Sequence, residues 1–127
     1  MNEETNWEVA VANWHEAVNS GDLGWATEVV TNPVEVKGPH GTAVLSPKAF
    51  AEWVERSQIA LEPYEWHPIT ESITVVKQRA TWPNESHRTE PADVATVFIT
   101  TGVQIAAALR FDDFDTAMQT ARTRVAS

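Results

Sequence analysis

Two histidines offer the clearest acid–base chemistry in this 127-residue sequence, which contains no cysteine. An imidazole changes charge near neutral pH, so histidine is the natural general base. His67 follows Trp66 in a stretch of alternating character, and His15 lies beside Val11 and Val18 in a stretch with helical spacing. His67 and His15 are therefore the candidate catalytic residues. Each also has a structural interpretation: His67 as an exposed strand residue and His15 as a hydrogen-bonded core residue.

Two further polar residues interrupt apolar segments. Arg56 follows Trp53 by three positions, so both lie on one side of a predicted helix. Its guanidinium could hold a ligand carboxylate, or it could pair with Glu52 or Glu62. Gln78 lies in a strand-like segment, where a buried amide must find hydrogen-bond partners in a neighbouring strand or in a ligand. Arg56 and Gln78 are therefore candidate ligand-binding residues.

Tryptophan is abundant, with six residues in the chain. An interior rich in indole suits a flat, apolar ligand. The alternative is that the rings simply fill the core and leave no cavity. The tryptophans predicted to bind ligand, together with Arg56 and Gln78, are Trp14, Trp53, Trp66 and Trp82.

The sequence offers little for a metal or a cofactor. Its four histidines lie in four different predicted elements, and none has the short spacing typical of metal-binding pairs. There is no glycine-rich loop between a strand and a helix that could hold phosphate. We therefore expect neither a metal nor a cofactor.

Charge and length limit the partners and the location. The net charge is −9, which argues against nucleic acid and against anionic membrane surfaces, because both attract basic residues. No stretch approaches the roughly 18 apolar residues that span a bilayer, and the acidic N-terminal segment lacks the features of a signal peptide. The expectation is a cytoplasmic protein without membrane contact. Its length suits one domain, residues 1–127.

Hydrophobic periodicity predicts the elements that position these residues. A first helix is expected from a cap at Thr5 to Gly21, and a second from a cap at Asp22 to Val30, ended by Pro33. From Leu61 the apolar period changes from 3.6 to 2. The remaining predicted elements are a hairpin over 34–45, a third helix from 46–47, strands over 61–71, 73–82, 94–101 and 103–111, a loop over 83–93 and a last helix over 112–123.

This order of elements predicts an α+β fold, since helices and strands are segregated along the chain. The last two strands are apolar on both sides, and three helices can cover only one face of such a sheet. We therefore predict a homodimer that pairs through the other sheet face. All five aspartates fall at predicted caps or turns, which leaves none in the middle of a strand.

Four segments carry a resemblance to a known family: 10–41 with its Gly-Asp and Gly-Pro-His-Gly turns, the helix PKAFAEWVERS, the strand start LEPYEW and the ending ALRFDDFDTAMQTA. Together they resemble the nuclear transport factor 2-like superfamily, specifically its SnoaL-like bacterial branch. The resemblance implies a cone-shaped, curved antiparallel sheet wrapped around three N-terminal helices. It also implies a ligand pocket inside the cone.

Family members include isomerases, cyclases, dehydratases and epoxide hydrolases, as well as proteins without an assigned activity. Fold analogy alone does not choose among these. The missing strand aspartate favours a protein that holds a small, mostly apolar or aromatic ligand in the cone without catalysis. The alternative is a SnoaL-like isomerase, cyclase or dehydratase, with His67 or His15 as the base and Arg56 or Gln78 holding an oxyanion. Whether the protein is an enzyme stays open at this point.

Overall fold

A computed structural model describes residues 6–38, 41–57, 59–81 and 92–126 of the chain. These residues form four helices and six strands. The described elements, in chain order, are α1 (Asn6–Ser20), α2 (Leu23–Glu28), β1 (Val30–Gly38), β2 (Gly41–Leu45), α3 (Pro47–Ser57), β3 (Ala60–Pro68), β4 (Ile73–Thr81), β5 (Ala92–Thr101), β6 (Gln104–Phe111) and α4 (Phe114–Ala126).

The predicted helix boundaries depend on caps, and most of these caps are present. Asp22 accepts a hydrogen bond from the Trp25 backbone N–H, and Ser46 accepts one from Ala49. The sequence offers Asp112 or Asp113 as the cap of the last helix, and Asp113 accepts a hydrogen bond from the backbone N–H of Thr116. These short side chains satisfy backbone donors that the first helical turn leaves open. The predicted cap at Thr5 lies outside the described residues.

The prediction that Pro33 ends the second helix is wrong. That helix already ends at Glu28, and Pro33 lies within β1. Between Val30 and Glu35 the pairing of β1 with β6 is irregular. Proline has no N–H to donate to a ladder, so it is tolerated where the regular pairing is interrupted.

Two further predictions differ from the structure. Asp93 lies in β5 opposite Arg79, so it is an exposed strand residue rather than a turn residue. β3 ends at Pro68, three residues before the predicted end of that strand. Most of the predicted 83–93 loop lies outside the described residues.

All six strands form one sheet, in the order β2-β1-β6-β5-β4-β3. Neighbouring strands are antiparallel except for β1 and β6, which are parallel. The resemblance implied an antiparallel sheet. The parallel pair of β1 and β6 makes the sheet mixed. β3 lies at one edge, a position that matters for the candidate site.

We use "inner face" for the side of the sheet that packs against α1, α2 and α3. The inner face and these helices share one apolar cluster, with Val34, Phe50 and Phe98 almost completely buried. Trp14 packs edge-on against Phe98, with ring centroids 4.9 Å apart. The resulting fold is α+β, with a curved sheet around the N-terminal helices in the form of a cone.

The opposite side of the sheet, the outer face, is covered by α4. Ala117 and Ala121 of this helix are fully buried against an apolar cluster that includes Val75, Val97 and Leu109. The two-sided apolar pattern of the C-terminal strands therefore has an explanation within the chain. The pattern thus no longer requires a partner, and the homodimer through the sheet face stays a prediction.

Candidate functional site

A cavity of about 660 Å³ lies between α1 and the edge strand β3. This volume is within the range of about 300–1,000 Å³ that is typical of small-molecule sites. The lining is mostly apolar and aromatic, with one carboxylate and one imidazole. The described residues that line the cavity are Trp7, Glu8, Val11, Ala12, His15, Pro63 and Trp66.

The α1 wall of the cavity follows directly from helical spacing. Trp7, Val11 and His15 are separated by four positions each, so they form one stripe along the helix. Val11 and His15 are buried, while Trp7 is partly exposed at the first turn. The stripe thus leads from the rim of the cavity to its floor.

The β3 wall depends on a β-bulge. Pro63 pairs with Gln78 and Glu65 with Lys77, so Tyr64 is an extra residue without a partner in β4. Strict alternation from Pro63 would place Trp66 on the outer face, because side chains change sides at every residue. The extra residue shifts this phase, so that Trp66 joins Pro63 on the side of α1.

A second, smaller cavity lies beside the first, and its lining includes Glu62 of β3 and Arg79 of β4. It measures about 450 Å³, and Pro63 lines both cavities. Asn19 is among its lining residues and fixes the start of β3 through two hydrogen bonds of 2.8 Å to the backbone of Leu61. These bonds hold the C-terminal end of α1 against the start of β3.

His15 lies at the floor of the larger cavity, with both ring nitrogens engaged by the protein. Its Nδ1 is 2.8 Å from the carbonyl oxygen of Val11, which can only accept, so Nδ1 carries the hydrogen. Its Nε2 is 2.8 Å from the amide nitrogen of Gln78 and therefore accepts from it. Burial lowers the pKa of His15 from 6.5 to about 4, since desolvation disfavours the charged ring. The imidazole is neutral at pH 7.

Gln78 connects this histidine to the sheet. Its side chain is fully buried, and its Oε1 accepts a hydrogen bond of 2.6 Å from the hydroxyl of Thr96 on β5. A chain of hydrogen bonds therefore runs from Val11 through His15 and Gln78 to Thr96. The partners of Gln78 are protein groups, which agrees with the structural interpretation of this residue.

His67 is on the other side of the sheet. It contacts the Glu65 carboxylate through a hydrogen bond, and its ring lies 4.8 Å from that of Phe114 on α4. Lys77 completes this outer-face group, 3.8 Å from the Glu65 carboxylate and 5.1 Å from the Phe114 ring centre. His67 and His15 are thus separated by the sheet and do not belong to one site.

Solved structures give the clearest comparison with known proteins. A nuclear transport factor 2-like protein of unknown function from Cytophaga hutchinsonii is 9% identical, with a TM-score of 0.72 over 93% of this chain and 99% of that chain. A putative polyketide cyclase from Sinorhizobium meliloti is 14% identical, with a TM-score of 0.68 over 80% and 93% of the two chains. No family model matches the sequence, and no curated protein does.

A third solved structure, SalBIII, is described as an epoxide hydrolase/cyclase-like enzyme in pyran ring formation in the polyether salinomycin. It is 20% identical, with a TM-score of 0.65 over 82% of this chain and 88% of that chain. The fold is nuclear transport factor 2-like. At these identities the likeness establishes the fold and leaves the activity open.

Within this nuclear transport factor 2-like fold, the other predicted ligand-binding residues are dispersed. Trp14 is buried in the apolar core, and Trp53 stacks on Phe50 at a centroid distance of 5.9 Å. Arg56 is exposed on α3 and is not among the described residues lining the cavity. Trp82 lies outside the described residues. Of the predicted set, the cavity brings together Trp66 and His15.

Several lining residues were not predicted as site residues: Trp7, Glu8, Val11, Ala12 and Pro63. For Trp7 and Val11 a signal was available, because the Trp7–Val11–His15 stripe is visible in the sequence. For Pro63 there was none, since its partnership with Trp66 depends on the bulge.

The described residues form neither a metal-binding cluster nor a membrane-spanning helix. No group of three or more histidine or acidic side chains in this part of the chain is arranged to hold a metal ion. No helix among the same residues has the length and apolar character needed to cross a membrane.

Proposed function

We propose that this protein binds a small, mostly apolar ligand in the cavity between α1 and β3. The observation that carries the proposal is the cavity itself, about 660 Å³ and walled by Trp7, Pro63 and Trp66. Trp66 is 47% exposed, which is unusual for a large apolar ring. Exposed aromatic surface inside a concave site is typical of ligand-binding pockets, because a ligand buries it on binding.

The resemblance implies a pocket inside the cone, and the proposed site lies between α1 and the inner face of its edge strand β3. The centre of the cone is filled by the apolar cluster around Phe50 and Phe98. The proposed site lies at the margin of the cone, where the edge strand meets α1. An apolar ligand there would cover the indole of Trp66 without displacing the core.

Catalysis by histidine receives no support from the geometry. A general base needs a free nitrogen within hydrogen-bond reach of the reacting atom. Both nitrogens of His15 are bonded to protein groups, and His67 faces away from the cavity. We therefore propose a binding function and assign no reaction to either histidine. A bacterial source and a cytoplasmic location remain predictions.

Binding can be tested with N-phenyl-1-naphthylamine, an uncharged apolar dye whose fluorescence rises in apolar sites. The test variant is Trp66→Ala. The matched control is Tyr64→Ala, because Tyr64 is a neighbour on β3 of similar exposure, 44%, whose ring lies near Lys77 of the outer face. We expect saturable binding to the wild type, about fivefold weaker binding to the test variant from the loss of one aromatic contact, and little change in the control.

Two results would contradict the proposal. One is the absence of saturable dye binding to the folded wild type. The other is an equal loss in Trp66→Ala and Tyr64→Ala, since that would place the dye away from the cavity.

A further inference from the structure

We propose that the ligand of the α1–β3 cavity is a small organic cation, an alkylated ammonium group carried on an apolar body. This inference rests on the proposed function and names the chemical class of its ligand. It follows from three properties of the lining: two indole rings, one carboxylate and the lack of a cationic side chain among the described lining residues.

The two indoles come from opposite walls. Trp7 lies on α1 and Trp66 on β3, and both line the same cavity. The face of an indole carries negative potential and attracts cations, more strongly than the rings of Tyr or Phe do. Aromatic walls of this kind are a recurrent means of recognising alkylated ammonium groups.

Glu8 supplies the matching negative charge. It is the next residue after Trp7 and lines the same cavity. Among the described lining residues there is neither Lys nor Arg that would repel a cation. The net charge of −9 adds a long-range field that favours the approach of positive ligands.

The remaining polar group of the lining does not oppose a cation. The imidazole of His15 is held neutral by its burial and directs Nδ1–H to Val11 instead of into the cavity. The half-exposed position of Trp66 leaves the site open to water on one side. A bound cation can keep part of its hydration there, which limits the desolvation cost that deeply buried charges incur.

The apolar body of the ligand has its own contacts. Val11, Ala12 and Pro63 provide aliphatic surface between the two indoles and the floor. The ligand is therefore expected to be an amphiphilic amine and not a bare ammonium ion.

The decisive comparison uses two probes that differ in one atom. Benzyltrimethylammonium and neopentylbenzene have nearly the same shape, but the first has N⁺ where the second has carbon. Each is titrated against the wild-type protein preloaded with N-phenyl-1-naphthylamine, and displacement of the dye gives its Kd. We expect the cation to bind about tenfold more tightly, from the combined attraction of two rings and one carboxylate.

Glu8→Gln isolates the carboxylate, with Glu16→Gln as the control on the same helix, at an exposed position that is not among the described lining residues. We expect the first variant to bind benzyltrimethylammonium about threefold more weakly, to bind neopentylbenzene unchanged and to lose part of the salt dependence. The unchanged neutral probe shows that the cavity of the variant is intact. The control variant should behave like the wild type.

The outcomes separate this inference from the proposed function. If both probes displace the dye with equal affinity, or if neopentylbenzene binds more tightly, the cation inference is wrong while the apolar site stands. If the dye does not bind the wild type at all, the proposed function fails and the inference fails with it. A loss of cation affinity that is equal in Glu8→Gln and Glu16→Gln would also overturn the inference, because general charge alone would then explain it.

Discussion

The Nε2 atoms of His15 on α1 and Gln78 on β4 lie 2.8 Å apart, and this hydrogen bond joins the helix layer to the sheet beneath the proposed site. Because the Nδ1–H of His15 is donated to Val11, Nε2 is available only as an acceptor. Gln78 in turn accepts from Thr96, so its amide orientation is fixed from both ends. The cavity floor is therefore set by a polar chain inside an otherwise apolar core, and such chains are sensitive to the loss of any member.

Removing the amide of Gln78 is expected to destabilise the protein. In Gln78→Leu, the Nε2 of His15 and the hydroxyl of Thr96 lose their partner in a buried environment. We expect the free energy of unfolding to fall by about 2 kcal/mol or more. Urea denaturation monitored by circular dichroism measures it, with the exposed Gln119→Leu as control. Equal losses in the two variants would show that the hydrogen-bond chain contributes nothing specific.

The three side chains of this hydrogen-bond chain can also be replaced together. A triple variant with His15→Phe, Gln78→Leu and Thr96→Val has no buried polar group left unpaired along it. Replacing all partners with apolar groups is often close to neutral, so this variant should recover most of the stability lost in Gln78→Leu. A triple variant less stable than Gln78→Leu alone would indicate that side-chain shape, rather than hydrogen bonding, dominates at this position.

The free energy of unfolding should decrease as pH falls through the range set by His15. Its pKa is about 4 in the folded protein and 6.5 when unperturbed, so the unfolded chain takes up a proton first as pH falls. The contribution of neutral His15 to the free energy of unfolding is therefore complete above pH 6.5 and is lost as pH falls from 6.5 to 4. Between pH 7 and 5 we expect a loss of about 2 kcal/mol.

Urea denaturation at pH 7, 6 and 5 measures this slope. The slope should persist in His67→Gln, whose ring lies on the outer face, and disappear in His15→Gln. Glu35 does not affect this slope between pH 7 and 5. Its folded pKa is lowered from 4.5, so the stability that its ionised form contributes is lost only below about that pH. An unchanged slope in His15→Gln would contradict the assignment.

Much of the architecture could be predicted from the sequence because local signals agreed with one another. The caps at Asp22 and Ser46 and the change of apolar period at Leu61 set the main elements correctly. The role of α4 could not be predicted in this way. Its short apolar stripe gives no indication of which surface it covers, and only the packing of Ala117 and Ala121 shows that it closes the outer face.

The site was less predictable than the fold. Trp66 was predicted to bind ligand and lines the cavity, but only because Tyr64 is bulged, which regular alternation does not indicate. Arg56 and Trp53 share a helix with a buried side, yet Arg56 lies at an exposed position of it. A cavity is formed by the relative placement of two elements distant in sequence, and periodicity within each element carries no information on that placement.

The ion pair between Arg124 and Glu35 should help to hold α4 on the sheet. The guanidinium reaches both carboxylate oxygens, at 3.0 and 2.7 Å, and this bonding lowers the pKa of Glu35. Both side chains are partly exposed, so we expect Glu35→Gln to cost about 1 kcal/mol at pH 7 and less as pH falls below 4.5. Urea denaturation compares it with Glu71→Gln, an exposed control. A cost no larger than that of the control would mean that solvent screening cancels the pair.

Introducing a charge beneath α4 should expose the outer face. Ala121 is fully buried in the cluster between α4 and the sheet, so the carboxylate of Ala121→Glu cannot remain there without a large desolvation cost. We expect the helix to detach and the apolar strands beneath it to associate with other copies, because exposed apolar sheet surface favours pairing. Light scattering should then give an average mass above that of the wild type, whose single chain is 14.1 kDa.

Arg122→Glu adds a carboxylate at the neighbouring, exposed position and should leave the mass unchanged. If Ala121→Glu has the same mass and the same unfolding midpoint as Arg122→Glu, α4 does not protect this face, and the apolar pattern of the last two strands again requires a partner chain.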